Sequence, residues 1–220
     1  MEIIIVACGN VNKDQLINLY KSIEDPFVIG VDRGTLTAME AGLPISLSVG
    51  DYDSLLEGED KKLSQLDNKQ VLNPIKDDSD TEHSLRMAID MKPDRIYMIG
   101  VTGGRLDHEL SCIRMLRLAA EEEIEAYILD EKNRIRVARG EVEISKNISF
   151  YYRDGDYKRH YVSVLPYGDQ LRDLTEKGFK YEIENFRLAA DNSRGVSNEL
   201  KQEKGIISCQ DYMIIMETRD

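Results

Sequence analysis

Cysteine, positive charge and long apolar runs are all scarce in this 220-residue chain, and each shortage removes a class of protein. The three cysteines, Cys8, Cys112 and Cys209, are odd in number, far apart and without metal-ligand spacing. They offer neither a disulfide framework nor a thiolate zinc site, and read as reduced, mostly buried thiols of a cytosolic protein. Lys and Arg total 29 against 41 Asp and Glu, a formal net charge of −12. That balance argues against nonspecific binding to nucleic acid or anionic membrane, because phosphate backbones attract basic faces. The N-terminus offers only the apolar run Ile3–Cys8 behind Glu2, too short for a signal peptide or a membrane span. The chain therefore reads as soluble and cytoplasmic. Neither Gly-x4-Gly-Lys-Ser/Thr nor Gly-x-Gly-x-x-Gly occurs, which excludes the two commonest nucleotide loops. Internal repeats and low-complexity tracts are absent too.

What is there suffices for a real core. At 41% hydrophobic residues the chain forms one large domain or two of roughly 100 residues each. Ile3–Ala7, Phe27–Val31, Leu47–Val49, Gln70–Leu72, Arg95–Val101 and Glu125–Leu129 are predicted strands. Between them, helical spacing predicts helices after an Asn12 or Asn10 cap, over Thr35–Ala41, Asp60–Leu66 and Thr81–Met91, and a long amphipathic one carrying Leu106, Leu110, Ile113, Leu116 and Ala120. Such alternation with short connections predicts a Rossmann-like parallel α/β sheet of about six strands over residues 1–132.

Near Asn133 the texture changes to short, often alternating runs: Arg134–Arg139, Ile148–Arg153, His160–Leu165, Phe179–Ile183 and Tyr212–Met216. Asp154-Gly155 reads as a hairpin turn and Tyr167–Asp169 as a loop, with Asn198–Gln202 the one helical candidate. Residues 133–220 are accordingly expected to form an antiparallel β-sandwich.

The chemistry concentrates past the predicted strand ends, where parallel sheets bind ligands. Asp32, Asp51, Asp53, Lys76, Asp77 and Gly103-Gly104-Arg105 come from distant parts of the chain and should converge on one rim. Val49-Gly-Asp51-Tyr-Asp53-Ser54 sets two carboxylates one residue apart directly after a strand. Crowded carboxylates repel, and a fold that gathers them does so most often for a divalent cation. A second acidic cluster, Asp77–Glu82, has a plainer side: Ser79-x-x-Glu82 is a capping box and acids suit a first helical turn. That accounts for Glu82 and leaves Asp80 as the cation ligand. In Gly103-Gly104-Arg105 the glycines expose N–H groups, a helix N-terminus follows, and Arg105 adds a bidentate donor, which together suit an anion. Asp107 could accept a hydrogen bond from a substrate hydroxyl. His83 and His160 read as structural.

Taken in order, five motifs resemble the thiamine pyrophosphokinase family. They are Val31-Asp32-Arg33-Gly34, Gly50-Asp51-Tyr52-Asp53-Ser54, Lys76-Asp77 with Ser79–Glu82, Gly103–His108, and Gly195-Val196-Ser197-Asn198-Glu199. The resemblance covers essentially the whole chain. It implies transfer of the pyrophosphoryl group of ATP to the hydroxyl of thiamine, giving thiamine diphosphate and AMP, by a homodimer with active sites at the subunit interface. Carried onto matching positions, it implies Mg²⁺ on Asp51, Asp53 and Asp80, with Gly104, Arg105 and Lys76 near the phosphates. Asp107 would sit near the thiamine hydroxyl, and Ser197 and Asn198 of the partner subunit would contact thiamine. The chain departs from eukaryotic members in having no Trp to cover the thiamine; its Ser-Asn-Glu motif resembles bacterial ones. Two other readings keep the same pockets: a different Mg²⁺-dependent phosphotransferase or phosphohydrolase, which would yield ADP or ignore thiamine, and a sensor that binds without turnover.

Overall fold

The structure, a computed structural model, describes residues 1–52, 59, 63, 66, 69–71, 78–146 and 160–219. The chain divides into two compact units, Met1–Glu131 and Lys132–Asp220. The first contains β1 (Glu2–Val6), β2 (Phe27–Val31), β3 (Leu47–Gly50), β4 (Lys69–Val71), β5 (Arg95–Ile99) and β6 (Glu125–Leu129). They pair in the order β4-β3-β2-β1-β5-β6, and every pairing is parallel. On central β1, Ile3, Ile4 and Ile5 have no exposed surface, which requires cover on both sheet faces and explains the unbroken β-branched run.

Among the described residues four helices accompany these strands: α1 (Lys13–Ser22), α2 (Gly34–Glu40), α3 (Asp80–Asp90) and α4 (Leu106–Glu121). Asn12 caps α1 by accepting from the Gln15 amide at 3.0 Å, and Ser79 caps α3 by accepting from the Glu82 amide at 3.2 Å. The capping box of α3 is only half made, because the Glu82 carboxylate pairs with Arg86 at 2.7 Å instead of turning back to the cap. The apolar stripe of α4 also differs from expectation. Leu106 and Leu110 are 67% and 53% exposed, while Cys112, Met115, Leu116 and Ala119 face inward. The helix is long enough that the stripe can be drawn twice, and the inward one runs through a cysteine and a methionine. No helix among the described residues is long and apolar enough to cross a membrane.

The second unit is antiparallel, with β7 (Asn133–Ser145), β8 (His160–Pro166), β9 (Gln170–Lys177), β10 (Ile183–Ala189) and β11 (Lys204–Arg219). Strands β7 and β11 pair along nearly their whole length, with a register shift between Cys209 and Met213. Before the shift β11 also pairs with β9, and after it with β8. One bent ribbon therefore serves both layers of a sandwich, as bulged strands at sandwich corners do. Val164, Leu174, Phe179, Leu188, Ile207 and Met213 fill the space between the layers.

The expected fold class, α/β followed by antiparallel β, is the observed one. Details of the β half need correction. Strand β9 carries the charged sequence Gln-Leu-Arg-Asp-Leu-Thr-Glu-Lys and escaped the hydrophobic pattern. Phe179–Ile183 is not a strand: Phe179 makes a single bridge to Leu200, and β10 starts at Ile183. Asn198–Gln202 is not helical either, since Asn198 and Leu200 bridge to Val162 and Phe179. The helical element there is a short turn, Ser193–Gly195. The expected strand Ile148–Arg153, the turn Asp154-Gly155, Leu72 and most of the helix Asp60–Leu66 lie outside the described residues.

Candidate active site

Strand β1 is flanked by β2 on one side and β5 on the other, so the chain order reverses there and leaves a crevice at the carboxyl edge. Asp32 follows β2, Asp51 follows β3 and Asp80 opens α3. One carboxylate oxygen from each lies within 4.8 Å of the others. Residues far apart in the chain thus meet because the strands ahead of Asp32 and Asp51 run parallel and end together.

Local geometry fixes Asp32 tightly. Its backbone is left-handed, with φ 47°, a conformation that aspartate tolerates better than most residues. The Asp32 amide donates to the Val49 carbonyl at 2.8 Å, and its carbonyl accepts from the Thr35 amide at 3.1 Å. Its Oδ1 accepts from the Tyr52 amide at 3.4 Å. Gly50 makes room for that carboxylate: a Cβ there would sit 1.9 Å from Asp32 Oδ1. Tyr52 is left-handed as well, at φ 59°, and its hydroxyl meets Ser48 Oγ at 2.8 Å. Ser48 in turn meets Thr35 Oγ1 at 2.8 Å, with Ser48 and Thr35 wholly buried. A ladder of hydroxyls thus ties the turn after β2 to the turn after β3.

The electrostatics follow. Burial pushes the Asp32 carboxyl up to about 7, the charge of Asp80 and a hydrogen bond with it push the same way, and Asp51 adds to them. The Tyr52 amide opposes the rise. Three half-buried hard-oxygen ligands that repel one another are the donor set a small divalent cation such as Mg²⁺ takes. Asp53, Lys76 and Asp77, also expected at this rim, lie outside the described residues.

A second wall comes from the loop after β5. Gly103 is left-handed at φ 80°, and the Asn10 side chain donates to its carbonyl at 2.9 Å. Arg105 precedes the first turn of α4 and pairs with Asp107 through Nη2 at 2.7 Å. That hydrogen bond from Arg105 holds the exposed Asp107 carboxyl down at about 2. The Gly104 amide donates to Glu109 Oε1 at 2.7 Å. The loop amide already grips an anionic oxygen, the task expected of it toward phosphate.

Ser197 and Asn198 belong to the second unit. Ser197 is left-handed at φ 63°, and its amide donates to Ser163 Oγ at 3.0 Å. Asn198 exchanges backbone hydrogen bonds with Val162 at 2.8 and 2.9 Å and is buried. His83 Nδ1 lies 3.2 Å from a carboxylate oxygen of Asp78, and His160 Nε2 lies 3.5 Å from one of Glu217.

Sequence reasoning set Asp32 on the rim without a ligand role of its own, and the structure groups its carboxylate with those of Asp51 and Asp80. It missed Thr35, Ser48, Asn10 and Glu109 altogether. Only a lone hydroxyl inside an apolar strand marks Ser48 in the sequence. A groove of about 850 Å³ between the C-terminal ends of α3 and α4, lined by Arg86, Asp90 and Glu121 among others, holds none of the expected residues.

Comparison with known proteins bears on the whole chain. Residues 20–128 match the family model "Thiamin pyrophosphokinase, catalytic domain", and residues 141–214 match "Thiamin pyrophosphokinase, vitamin B1 binding domain". A thiamine pyrophosphokinase of Bacillus subtilis is 32% identical over 190 residues, covering 86% of this chain and 85% of that protein. The crystal structure of thiamine pyrophosphokinase from Bacillus subtilis superposes with a TM-score of 0.86 at 30% identity, over 100% of both chains. That of thiamin pyrophosphokinase from Geobacillus thermodenitrificans gives 0.83 at 28%, over 100% of this chain and 98% of the other.

Proposed function

The chain belongs to the thiamin pyrophosphokinase family, and from that premise we propose that it transfers the pyrophosphoryl group of ATP to the hydroxyl of thiamine. The observation that carries the reading is the meeting of Asp32, Asp51 and Asp80 at the carboxyl edge, beside a loop whose amide holds an anionic oxygen. The thiamine hydroxyl oxygen attacks the β-phosphorus of ATP, the bond from that phosphorus to the α,β-bridging oxygen breaks, AMP leaves, and the hydroxyl proton passes to solvent. Such a reaction needs positioning and charge neutralisation more than covalent help.

In this reading Asp51, Asp53 and Asp80, joined by Asp32, hold Mg²⁺, which when bound neutralises charge on the phosphate oxygens. The Gly103 and Gly104 amides, Arg105 and Lys76 hold the phosphates, with Asp77 beside Lys76. Binding of phosphate then displaces Glu109 from the Gly104 amide. Asp107 orients the thiamine hydroxyl as an acceptor; a carboxyl held at about 2 is a weak base, and a loose transition state asks for little more. The second unit is proposed to bind thiamine and to dimerise, so that the Ser197-Asn198 loop of the partner subunit completes each site. The protein is proposed to work in the cytoplasm.

Incubation with ATP, Mg²⁺ and thiamine is expected to yield equal amounts of AMP and thiamine diphosphate. Release of ADP, or nucleotide turnover indifferent to thiamine, overturns the reading. A second expectation concerns Gly50→Ala. The added methyl would collide with the Asp32 carboxylate, so that group must shift. On an overpacking cost of about 1–3 kcal/mol, the Mg²⁺ concentration giving half-maximal AMP formation should rise roughly tenfold. Far-ultraviolet circular dichroism should stay unchanged.

A further inference from the structure

The sandwich contains a buried acid with no part in the catalytic reading. Glu176, on β9, is 3% exposed. Its Oε2 accepts a 2.6 Å hydrogen bond from Asn198 Nδ2. An asparagine side chain offers two N–H donors and two acceptor lone pairs. In Asn198 all four are taken. Nδ2 donates to Glu176 and to the Tyr181 carbonyl at 2.9 Å, and Oδ1 accepts from the amides of Tyr181 at 3.1 Å and Glu199 at 3.0 Å. A ligand could reach this side chain only by breaking one of those bonds.

Its neighbour Ser197 is placed differently. That residue holds a left-handed backbone that a side chain other than glycine disfavours, and such a conformation persists only where its surroundings enforce it. Two supports are backbone-based: the exchange with Val162 and the bond to Ser163 Oγ. The third is Asn198, clamped between Glu176 and the Tyr181 segment.

We propose that Glu176 is a positioning residue which, through the saturated side chain of Asn198, holds Ser197 in the conformation that meets thiamine, Asn198 being a clamp and not a ligand contact. This rests on the reading of the Ser197-Asn198 loop as thiamine-binding. A buried acceptor at position 176 is needed because the second Asn198 N–H would otherwise face apolar surroundings unpaired.

The test compares Glu176→Met, which removes the acceptor at near-constant length, with Glu176→Gln, whose oxygen can still accept from Asn198. Loss of one buried hydrogen bond predicts a roughly fivefold to tenfold rise in the KM for thiamine in the Met variant, with kcat and the KM for ATP within about twofold of wild type. The Gln variant should return the thiamine KM to near the wild-type value. An unchanged thiamine KM in the Met variant, or an equal rise in both KM values, overturns the proposal. Amide exchange gives an arm that needs no thiamine. The Tyr181 and Glu199 amides should exchange several-fold faster in the Met variant while that of Ile214 on β11 does not, and unaltered Tyr181 and Glu199 rates refute the clamp. A wild-type protein inert toward thiamine but with this exchange signature overturns the functional reading alone. Should the Met variant fail to fold, Asn198→Asp sets a second carboxylate against Glu176 and must raise the thiamine KM in the same selective way.

Discussion

Replacing Asp51 by asparagine should lower kcat roughly 100-fold or more while the protein stays folded, because the change removes a charge from the proposed cation site without altering volume. The oxygens of Asp32, Asp51 and Asp80 share a space less than 5 Å across. Each carboxylate there is held against the repulsion of the others, and Asp51 is one of the charges that raise Asp32. Deleting that charge relieves repulsion in the cation-free protein, so the thermal midpoint should hold or rise. Such opposition between activity and stability marks a site assembled for a ligand and distinguishes it from an ordinary acidic surface. Parallel measurements of kcat and thermal unfolding check both halves. Activity within about threefold of wild type would refute the assignment of Asp51 to the cation. A large loss of stability would mean that its carboxylate serves the turn after β3 instead.

How far this was legible in the sequence depends on the range of the interactions involved. The parallel unit announces itself, since strands such as Ile3–Val6, buried on both faces, must be uniformly apolar, and helices between them must repeat at 3.6 residues. The rim residues are legible for a related reason: a parallel sheet places its loops at the ends of strands that pattern alone locates. The β half is harder. Strand β9 is charged along much of its length because only Leu171, Leu174 and Glu176 point inward, and one of those is an acid. No periodicity shows that Glu176 is buried, because its burial depends on Asn198, more than twenty residues on. The same holds for the hydroxyl ladder of Thr35, Ser48 and Tyr52, in which Thr35 and Ser48 belong to no motif and matter only once β2 and β3 lie side by side. Local sequence likewise cannot reveal that the left-handed turn at Asp32 brings its carboxylate against Asp80.

The largest stability effect is expected from Arg134→Met, in the second unit. Arg134 on β7 lies directly across from Glu217 on β11 and donates to Glu217 Oε1 through Nε at 2.7 Å and also through Nη2. His160 Nε2 stands 3.5 Å from the other carboxylate oxygen. Glu217 is 3% exposed. Burial pushes its carboxyl up, yet the interactions with His160 and Arg134 outweigh burial and hold it below the ordinary glutamate range. A carboxyl depressed in the folded state contributes stability that is fully present above its unfolded value, about 4.3. That contribution is lost as pH falls through the folded value. Removing Arg134 leaves a buried charge whose main partner is gone, at a cost of about 3–5 kcal/mol near neutral pH. Burial then dominates, the carboxyl rises above the ordinary range, and protonation relieves the variant. The gap between wild type and Arg134→Met, measured by urea unfolding from pH 8 to pH 4, should therefore be widest at neutral pH and narrow toward pH 4. Replacing both partners, with Glu217→Leu added, should recover most of the loss, since an apolar pair leaves no charge to desolvate. A gap independent of pH, or a double variant no more stable than Arg134→Met, would show that Arg134 supports β7 by packing alone.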